Sequence, residues 1–230
     1  MKKKFKVIIP ARGGSKGLKN KHIQLVKNKP LIFWTFDQFL DEIGDLVDLH
    51  VSTDCPKIIN LCLSEYPMVR ILKRDLSLAL DNTSTEEVLK NVAQSWCKEL
   101  KENEYVIYAS ACEVNRPKGI LRGAVESILK NEDTDTFLYG EKSHKHLWEN
   151  NMNKKTLMRK WMVSYSPRQI GNLNYLIEHS GLILITKLKY WLAGKRFGGK
   201  INIEELDDLY RHIDVHNKVD LKLAAALLSV

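Results

Sequence analysis

Apolar runs of strand length alternate along the chain with stretches in which apolar positions recur at helical spacing. The runs predict buried strands at residues 5–9, 46–51, 68–72, 105–109, 136–139 and 182–186. The helical spacings predict helices at residues 30–43, 56–65, 84–100, 119–129 and 217–228. Strands that alternate with helices in this way predict an α/β fold, with a mostly parallel, doubly wound sheet.

Two of the predicted helices carry start signals. Pro30 can occupy the first turn of a helix that continues to Ile43. In the segment DNTSTEEVLK, Thr83 or Ser84 can cap the helix backbone, and a glutamate follows three residues after each, as in a capping box. The helix predicted at residues 84–100 therefore begins directly after a polar turn, where a ligand can approach its N-terminus.

The alternation changes between residues 140 and 180. The segment WENNMNKKTLMRKW is typical of two strands around an Asn-rich turn, and irregular sequence with Pro167 and Gly171 follows. No repeat, low-complexity tract or Gly/Ser/Pro linker separates it, so we expect one domain over residues 1–230 with 140–180 as an inserted excursion. Its large apolar side chains need either a partner surface or their own core: Trp148, Met158, Trp161 and Met162.

Composition excludes several classes of protein. The chain has 44% hydrophobic and 28% charged residues, and its longest apolar runs are well short of a membrane span. The apolar stretch before Arg12 is also shorter than that of a secretory signal, so we expect a cytoplasmic protein without a membrane partner. The four cysteines form no CxxC pair and no Cys/His ligand spacing, which indicates ordinary thiols in a reducing compartment.

The positive charge of the chain is concentrated at one end. The formal net charge is +8, but residues 1–36 hold ten Lys or Arg residues and no Asp or Glu, so the remainder is close to neutral. One local basic patch favours a phosphate site over a nucleic-acid-binding face, and no nucleic-acid-binding motif is present. For Lys2, Lys3 and Lys4 the alternative is that they only solvate the terminus.

The sequence ARGGSKGLKNK follows the first predicted strand, where ligands bind in doubly wound sheets. Glycines there can turn successive N–H groups toward an anion, and the cations supply a guanidinium fork and mobile charges. The segment fits neither GxxxxGK[ST] nor GxGxxG. It predicts a polyphosphate site, with a turn-rich surface loop as the alternative, and its glycines and cations are Gly13, Gly14, Gly17, Arg12, Lys16, Lys19 and Lys21.

The segment IIPARGGSKGLKNK resembles the signature of the acylneuraminate cytidylyltransferases, the CMP-sialic acid synthetases, which are related to CMP-Kdo synthetases. Further along, KPLIFWTFD, VSTD, DNTST, PRQ, FGGK and HIDVHNKVDLKLA resemble family segments in the same order. The resemblance implies a Rossmann-like nucleotide-diphospho-sugar-transferase fold that transfers CMP from CTP to a 2-keto sugar acid and releases pyrophosphate. It also implies dependence on Mg²⁺ and a homodimer, with the excursion as the dimerisation arm.

The resemblance assigns roles to individual positions. Arg12, Lys21 and Asp214 would be the catalytic residues, with Asp214 as the first carboxylate of a metal pair and His216 at the second position. Asp214 could instead cap the closing helix. CTP would be held by Ala11, Arg12, Gly13, Gly14, Ser15, Lys16, Lys21 and Ser84, although Ser84 can also be a helix cap. The acceptor would be bound by Arg116, Arg168 and Gln169, the last two of which are otherwise ordinary solvated side chains.

The chain departs from the family pattern at the acceptor and metal positions. SACEVNR, at residues 110–116, replaces Gln-Pro-Thr-Ser-Pro-Leu-Arg and keeps only Arg116, so the acceptor is left open. His22 stands where an asparagine is usual, and His216 replaces the second metal aspartate. Imidazole suits Mn²⁺ better than Mg²⁺, so this site could use another metal, use one carboxylate, or lack activity. Glu113 could compensate only if the fold brings it close to Asp214.

The sequence is therefore compatible with three functions. The leading interpretation is a CTP-dependent transferase acting on an acidic sugar. The second is a divergent nucleotide-binding homologue with an altered acceptor or little activity. A basic nucleic-acid-binding protein is the alternative from another class.

Overall fold

A central mixed sheet organises the chain. The computed structural model describes residues 4–131, 133–142, 148–151, 154–157, 176–206 and 213–228. The strands are β1 Phe5–Pro10, β2 Leu25–Val26, β3 Lys29–Pro30, β4 Val47–Thr53, β5 Arg70–Lys73, β6 Tyr105–Tyr108, β7 Thr136–Lys142, β8 Trp148–Asn151, β9 Lys154–Leu157, β10 Leu176–Glu178, β11 Leu184–Lys187 and β12 Ile201–Glu205. The helices are α1 Leu31–Ile43, α2 Pro56–Glu65, α3 Thr85–Trp96, α4 Ile120–Lys130, α5 Leu188–Leu192 and α6 Lys218–Leu227.

The sheet has the order β10-β7-β11-β6-β1-β4-β5, and β12 also pairs with β7. Strands β5, β4, β1 and β6 are parallel, as is the β7–β12 pair. Strand β11 is antiparallel to both β6 and β7, and β10 is antiparallel to β7. The predicted α/β class with a mostly parallel sheet is confirmed, whereas β12 was not predicted.

Helices cover both faces of this sheet. Val7 and Ile9 of β1 lie in one apolar cluster with α1, α2 and α4, whereas Ile8 lies in a second cluster with α3 and α5. Successive side chains of a strand point to opposite faces, so the VII run is buried on both sides. The doubly wound arrangement expected from the sequence is confirmed.

A third apolar cluster joins parts of the chain that are distant in sequence. It contains Leu18 from the segment after β1, Cys112 and Val114 from the segment after β6, and Val215. The amide of Val215 donates to the carbonyl of Cys112 at 3.1 Å. The three segments are thereby held together at the carboxyl ends of β1 and β6.

A short hairpin precedes α1. Strands β2 and β3 pair antiparallel, and the turn residues Lys27 and Asn28 have φ values of 50° and 62°. Two successive positive φ values are typical of a tight type I′ turn. Helix α1 accordingly begins at Leu31, with Pro30 as the residue before it. The predicted placement of Pro30 inside the first helical turn is wrong by one residue.

Part of the excursion is described. Strands β8 and β9 pair antiparallel, with Trp148 opposite Leu157, which confirms the predicted two-stranded segment. Arg168, Gln169, Met158, Trp161 and Met162 lie outside the described residues. No helix within the described ranges has the length and apolar character needed to cross a membrane.

Candidate active site

A cleft of about 440 Å³ opens at the carboxyl ends of the parallel strands. Open α/β sheets bind ligands at this edge. Six residues predicted from the sequence to bind nucleotide or metal line this cationic cleft together: Arg12, Ser15, Lys16, Lys21, Ser84 and His216. Sequence reasoning did not select three further lining residues, Arg74, Asp81 and Tyr108.

The first turn of the loop after β1 is tied to the sheet. Ala11 is fully buried, and its amide donates to the Ser52 carbonyl at 2.9 Å. The amide of Gly13 donates to Oδ1 of Asp54 at 2.9 Å. Ala11 and Gly13 thus anchor the loop through their amides, and their contact with CTP stays a prediction.

Gly17 brings the same loop against the C-terminal part of the chain. A Cβ atom at this position would lie 2.7 Å from the carbonyl oxygen of His216, closer than real Cβ contacts. Only glycine fits this approach without a shift of the backbone. The position of Lys16 and Leu18 beside residues 213–217 therefore depends on Gly17.

Two cations of the loop share one carboxylate. Oδ1 of Asp81 accepts from the Arg12 guanidinium at 2.8 Å, and Oδ2 lies 2.8 Å from Nζ of Lys16. The hydrogen bonds from Lys16 and then Arg12 hold the pKa of Asp81 below its usual range. Arg12 also donates to the Ala79 carbonyl at 3.1 Å. An anionic ligand must compete with Asp81 for these cations.

His22 contacts the backbone of the loop after β1 from inside the protein. It is 6% exposed, and its Nδ1 lies 3.2 Å from the carbonyl oxygen of Arg12, to which a protonated Nδ1 donates. Burial, and then the charge of Lys21, lowers the pKa of His22 to about 4. The imidazole is therefore neutral at neutral pH and fixes the backbone at Arg12.

Arg74 is a buried cation in the cleft wall. Its Nε donates to Oγ of Ser52 at 3.1 Å, and its guanidinium also donates to the Ser52 carbonyl at 2.8 Å. Burial lowers the pKa of Arg74 to about 10, so it remains charged at neutral pH. The signal that sequence reasoning missed was a basic residue directly after β5, at the same sheet edge as the glycine-rich loop.

Ser84 caps α3, as predicted. Its Oγ accepts from the amide of Glu87 at 3.2 Å, and the Glu87 carboxylate accepts from the Ser84 amide at 2.7 Å. Both halves of the capping box are present. Because Ser84 also lines the cleft, the N-terminus of α3 faces the space that a ligand would occupy.

Two carboxyl groups come together behind His216, which lines the cleft. Glu113 and Asp214 are directly opposite in an isolated antiparallel β-bridge, and we call them the acidic pair. Glu113 is 4% exposed. Burial, and then the charge of Asp214, raises the pKa of Glu113 to about 7, against the weaker influence of Arg116. The fold thus brings Glu113 close to Asp214. This is the condition under which Glu113 could compensate for the aspartate that His216 replaces.

The carboxylate oxygens of the acidic pair differ in their contacts. Oδ2 of Asp214 lies 3.0 Å from Nε2 of His216. Within the described part of the chain, Oε2 of Glu113 and Oδ1 of Asp214 are buried and have no hydrogen-bond partner. The described residues include no group of three or more His, Cys, Asp or Glu side chains placed to hold a metal ion by themselves. A cation here would need oxygen atoms from a ligand as well.

The helix cap considered for Asp214 belongs to Asn217. The side chain of Asn217 accepts from the amides of Val219 at 2.7 Å and Asp220 at 3.1 Å. The alternative reading of Asp214 as a capping residue is therefore wrong.

Arg116 is buried below the cleft rather than lining it. It is 5% exposed, and its guanidinium donates to the carbonyls of Leu182 at 2.7 Å, Ser110 at 2.9 Å and Gly181 at 3.1 Å. A guanidinium used in this way holds the segment after β6 against the turn before β11. The expectation that Arg116 binds the acceptor is corrected, because its donors are directed into the protein.

An open α/β sheet with a cationic cleft at the carboxyl ends of its strands is the arrangement of the Rossmann-like class, in which ligands bind at that edge. The family model described as "Cytidylyltransferase" matches residues 6–179. The chain belongs to this family.

Curated relatives are moderately similar. The N-acylneuraminate cytidylyltransferase of Escherichia coli O18:K1:H7 is 25% identical over 99% of this chain and 52% of its own length. The pseudaminic acid cytidylyltransferase of Campylobacter jejuni serotype O:2 is 32% identical over 56% of this chain and 55% of its own length. The N-acylneuraminate cytidylyltransferase of Streptococcus agalactiae serotype V is 27% identical over 60% of this chain and 32% of its own length. The chain thus matches about half or less of each relative.

Solved structures share the fold. The structure of CMP:2-keto-3-deoxy-manno-octonic acid synthetase complexed with CTP aligns with a TM-score of 0.69 at 13% identity, over 98% of both chains. The 4-diphosphocytidyl-2C-methyl-D-erythritol synthase of Anaerococcus prevotii aligns with a TM-score of 0.67 at 14% identity, over 99% of both chains. These likenesses support the expected nucleotidyltransferase fold.

Proposed function

We propose that this protein transfers CMP from CTP to a 2-keto sugar acid and releases pyrophosphate. The observation that carries the proposal is the cationic cleft, where Arg12, Lys16, Lys21 and Arg74 converge at the carboxyl ends of the strands. Family membership supports cytidine as the nucleotide. The names of the relatives specify different acids, N-acylneuraminate and pseudaminic acid, so the acceptor is proposed only as a class.

The cleft performs this reaction chiefly by positioning and charge neutralisation. The anomeric hydroxyl of the acceptor attacks the α-phosphorus and gives up its proton to solvent, and the bond from that phosphorus to the bridging α,β-oxygen breaks. Negative charge develops on the departing pyrophosphate, where Arg12 and Lys21 stabilise it. His22 holds the backbone of Arg12, so the guanidinium is placed before the substrate arrives. The N-terminus of α3 at Ser84 offers a polar contact for the ribose or the base.

A divalent cation, Mg²⁺ by family resemblance, would be held by Asp214, which contacts the cleft residue His216. Asp214 fits this role, because its Oδ1 is buried without a partner among the described residues while His216 engages Oδ2. When bound, the cation would neutralise phosphate charge. Arg168 and Gln169 are proposed to grip the acceptor, and residues 140–180 to form the arm of a homodimer.

The test is pyrophosphate release from CTP in the presence of a panel of 2-keto sugar acids and either Mg²⁺ or Mn²⁺. The unmodified protein should turn over at least one acid. Arg12→Gln and Lys21→Gln should weaken CTP binding by ~10-fold or more, since each removes a charge-assisted phosphate contact. Arg122→Gln and Lys130→Gln, which remove one charge each from α4, should leave CTP affinity unchanged. Absence of turnover with every acid would refute the proposal.

A second candidate is a nucleotide-binding protein with little catalytic activity. The observation that favours it is His216, because its imidazole is engaged with Asp214 at the position expected to supply a metal carboxylate. Calorimetry distinguishes the two functions. CTP binding with a micromolar or lower Kd, together with no product for any acid, would select this second candidate.

A further inference from the structure

The acidic pair is held in place by the backbone. Glu113 and Asp214 are opposite residues of an antiparallel bridge, and the Val215 amide closes the neighbouring bond to Cys112 at 3.1 Å. Opposite residues of such a pair project from the same face, with Cβ atoms roughly 5 Å apart. Two carboxyl groups on one face at this spacing can bind the same ion.

Both carboxyl groups have an oxygen that the described protein does not satisfy. Oε2 of Glu113 and Oδ1 of Asp214 are buried without a hydrogen-bond partner among the described residues. Glu113 is also packed tightly, since a Cβ on Gly181 would lie 3.0 Å from its Oε1. Burying an unpaired carboxylate beside another is costly unless a cation or donor compensates.

His216 is placed as a support for Asp214 and not for Glu113. Its Nε2 lies 3.0 Å from Oδ2 of Asp214, which leaves Oδ1 as the free oxygen of that carboxylate. Imidazole–carboxylate contacts of this type orient metal-binding carboxylates. His216, at the expected second metal position, is therefore placed to orient Asp214.

We propose that Glu113 supplies the second carboxylate of a divalent-cation site, together with Asp214, in place of the aspartate that His216 replaces. The inference rests on the proposed function, because phosphate oxygens of CTP and water fill the remaining coordination positions. Hard cations in nucleotide sites are held in this way, by one or two carboxylates and substrate phosphates. Two carboxylates and no required imidazole make the site suitable for Mg²⁺ as well as Mn²⁺.

The experiment measures cation binding without turnover. Mn²⁺ is titrated into the protein and followed by electron paramagnetic resonance, with a CTP analogue carrying a methylene bridge between the α- and β-phosphates. Glu113→Gln should weaken Mn²⁺ binding by ~10-fold or more, at least the loss that removal of a supporting partner causes. The affinity of the Glu113→Gln variant for the CTP analogue, measured in the absence of metal, should not fall. The control Glu65→Gln removes an exposed carboxylate at the end of α2 and should leave both affinities unchanged.

Two additional measurements distinguish loss of a metal ligand from loss of folding. Glu113→Asp retains a carboxylate and should retain more Mn²⁺ affinity than Glu113→Gln. If the variants fail to fold, Mn²⁺ added to the unmodified protein with the analogue should selectively broaden the amide signals of Cys112, Glu113 and Val215. Unchanged Mn²⁺ affinity in Glu113→Gln, or broadening that spares these amides, would overturn the inference.

The outcomes also separate the inference from the proposed function. If the unmodified protein does not bind the analogue, both fail. If it binds the analogue and transfers CMP while Glu113→Gln binds Mn²⁺ normally, only the role of Glu113 is refuted.

Discussion

Acid should destabilise this protein through His22. Its pKa lies near 4 in the folded chain, against 6.5 in an unfolded one, because burial and the charge of Lys21 oppose protonation. Between these two pH values the unfolded chain holds a proton that the folded chain does not, so the free energy of unfolding falls as the pH falls from 6.5 toward 4. A difference of about 2.5 pKa units corresponds to ~3 kcal/mol, a large part of a typical folding stability.

The substitution His22→Asn isolates this effect. Asparagine keeps a side-chain donor for the Arg12 carbonyl but has no proton to gain in this range. Urea denaturation at pH 7 and pH 4.5 gives the loss of unfolding free energy for each chain, and that loss should be smaller in His22→Asn by ~2 to 3 kcal/mol. Other titrating groups, including buried His50, are common to both chains and cancel. Equal losses in the two chains would refute the reasoning.

Three further predictions concern the cleft and its supports. Gly17→Ala should lower the free energy of unfolding by ~1 to 3 kcal/mol, because its Cβ would lie 2.7 Å from the His216 carbonyl; Gly14→Ala is the stability control, since nothing lies within 4 Å of its Cβ position. Arg116→Gln should cost ~3 kcal/mol or more in urea denaturation, because it removes buried charge-assisted bonds to backbone carbonyls, whereas a raised acceptor KM with unchanged stability would contradict that structural role. Asp81→Asn should tighten CTP binding several-fold in calorimetry, by releasing Arg12 and Lys16 for phosphate; unchanged or weaker binding would show that Asp81 does not compete.

The features of the fold that depend on neighbouring residues could be predicted from the sequence. The VII run of β1 is apolar on both faces, and the capping box at Ser84 lies within four residues, so both were predicted from neighbouring positions. The glycines and cations after β1 likewise stand together in the sequence. Ser84 and Lys21 meet in the cleft because the segment after β1 and the N-terminus of α3 both line it.

The remaining features depend on pairings between distant residues. Strand β12 alternates exposed and partly buried side chains and is defined by its pairing with β7, which lies about 65 residues earlier. Arg116 has the residue type of an anion-binding side chain, and only the carbonyls around it show its structural use. The contact between Glu113 and Asp214 spans 101 positions and has no sequence signal beyond the replaced aspartate at His216.

The bridge between Glu113 and Asp214 has a consequence for the order in which the molecule assembles. Contacts between residues far apart in sequence require closure of a long loop and tend to form late in folding. The cations of the cleft belong to segments made early on the ribosome, whereas the acidic pair cannot form until residues 213–217 have been synthesised and docked. A growing chain would thus expose the cations of the cleft before Glu113 and Asp214 could face each other.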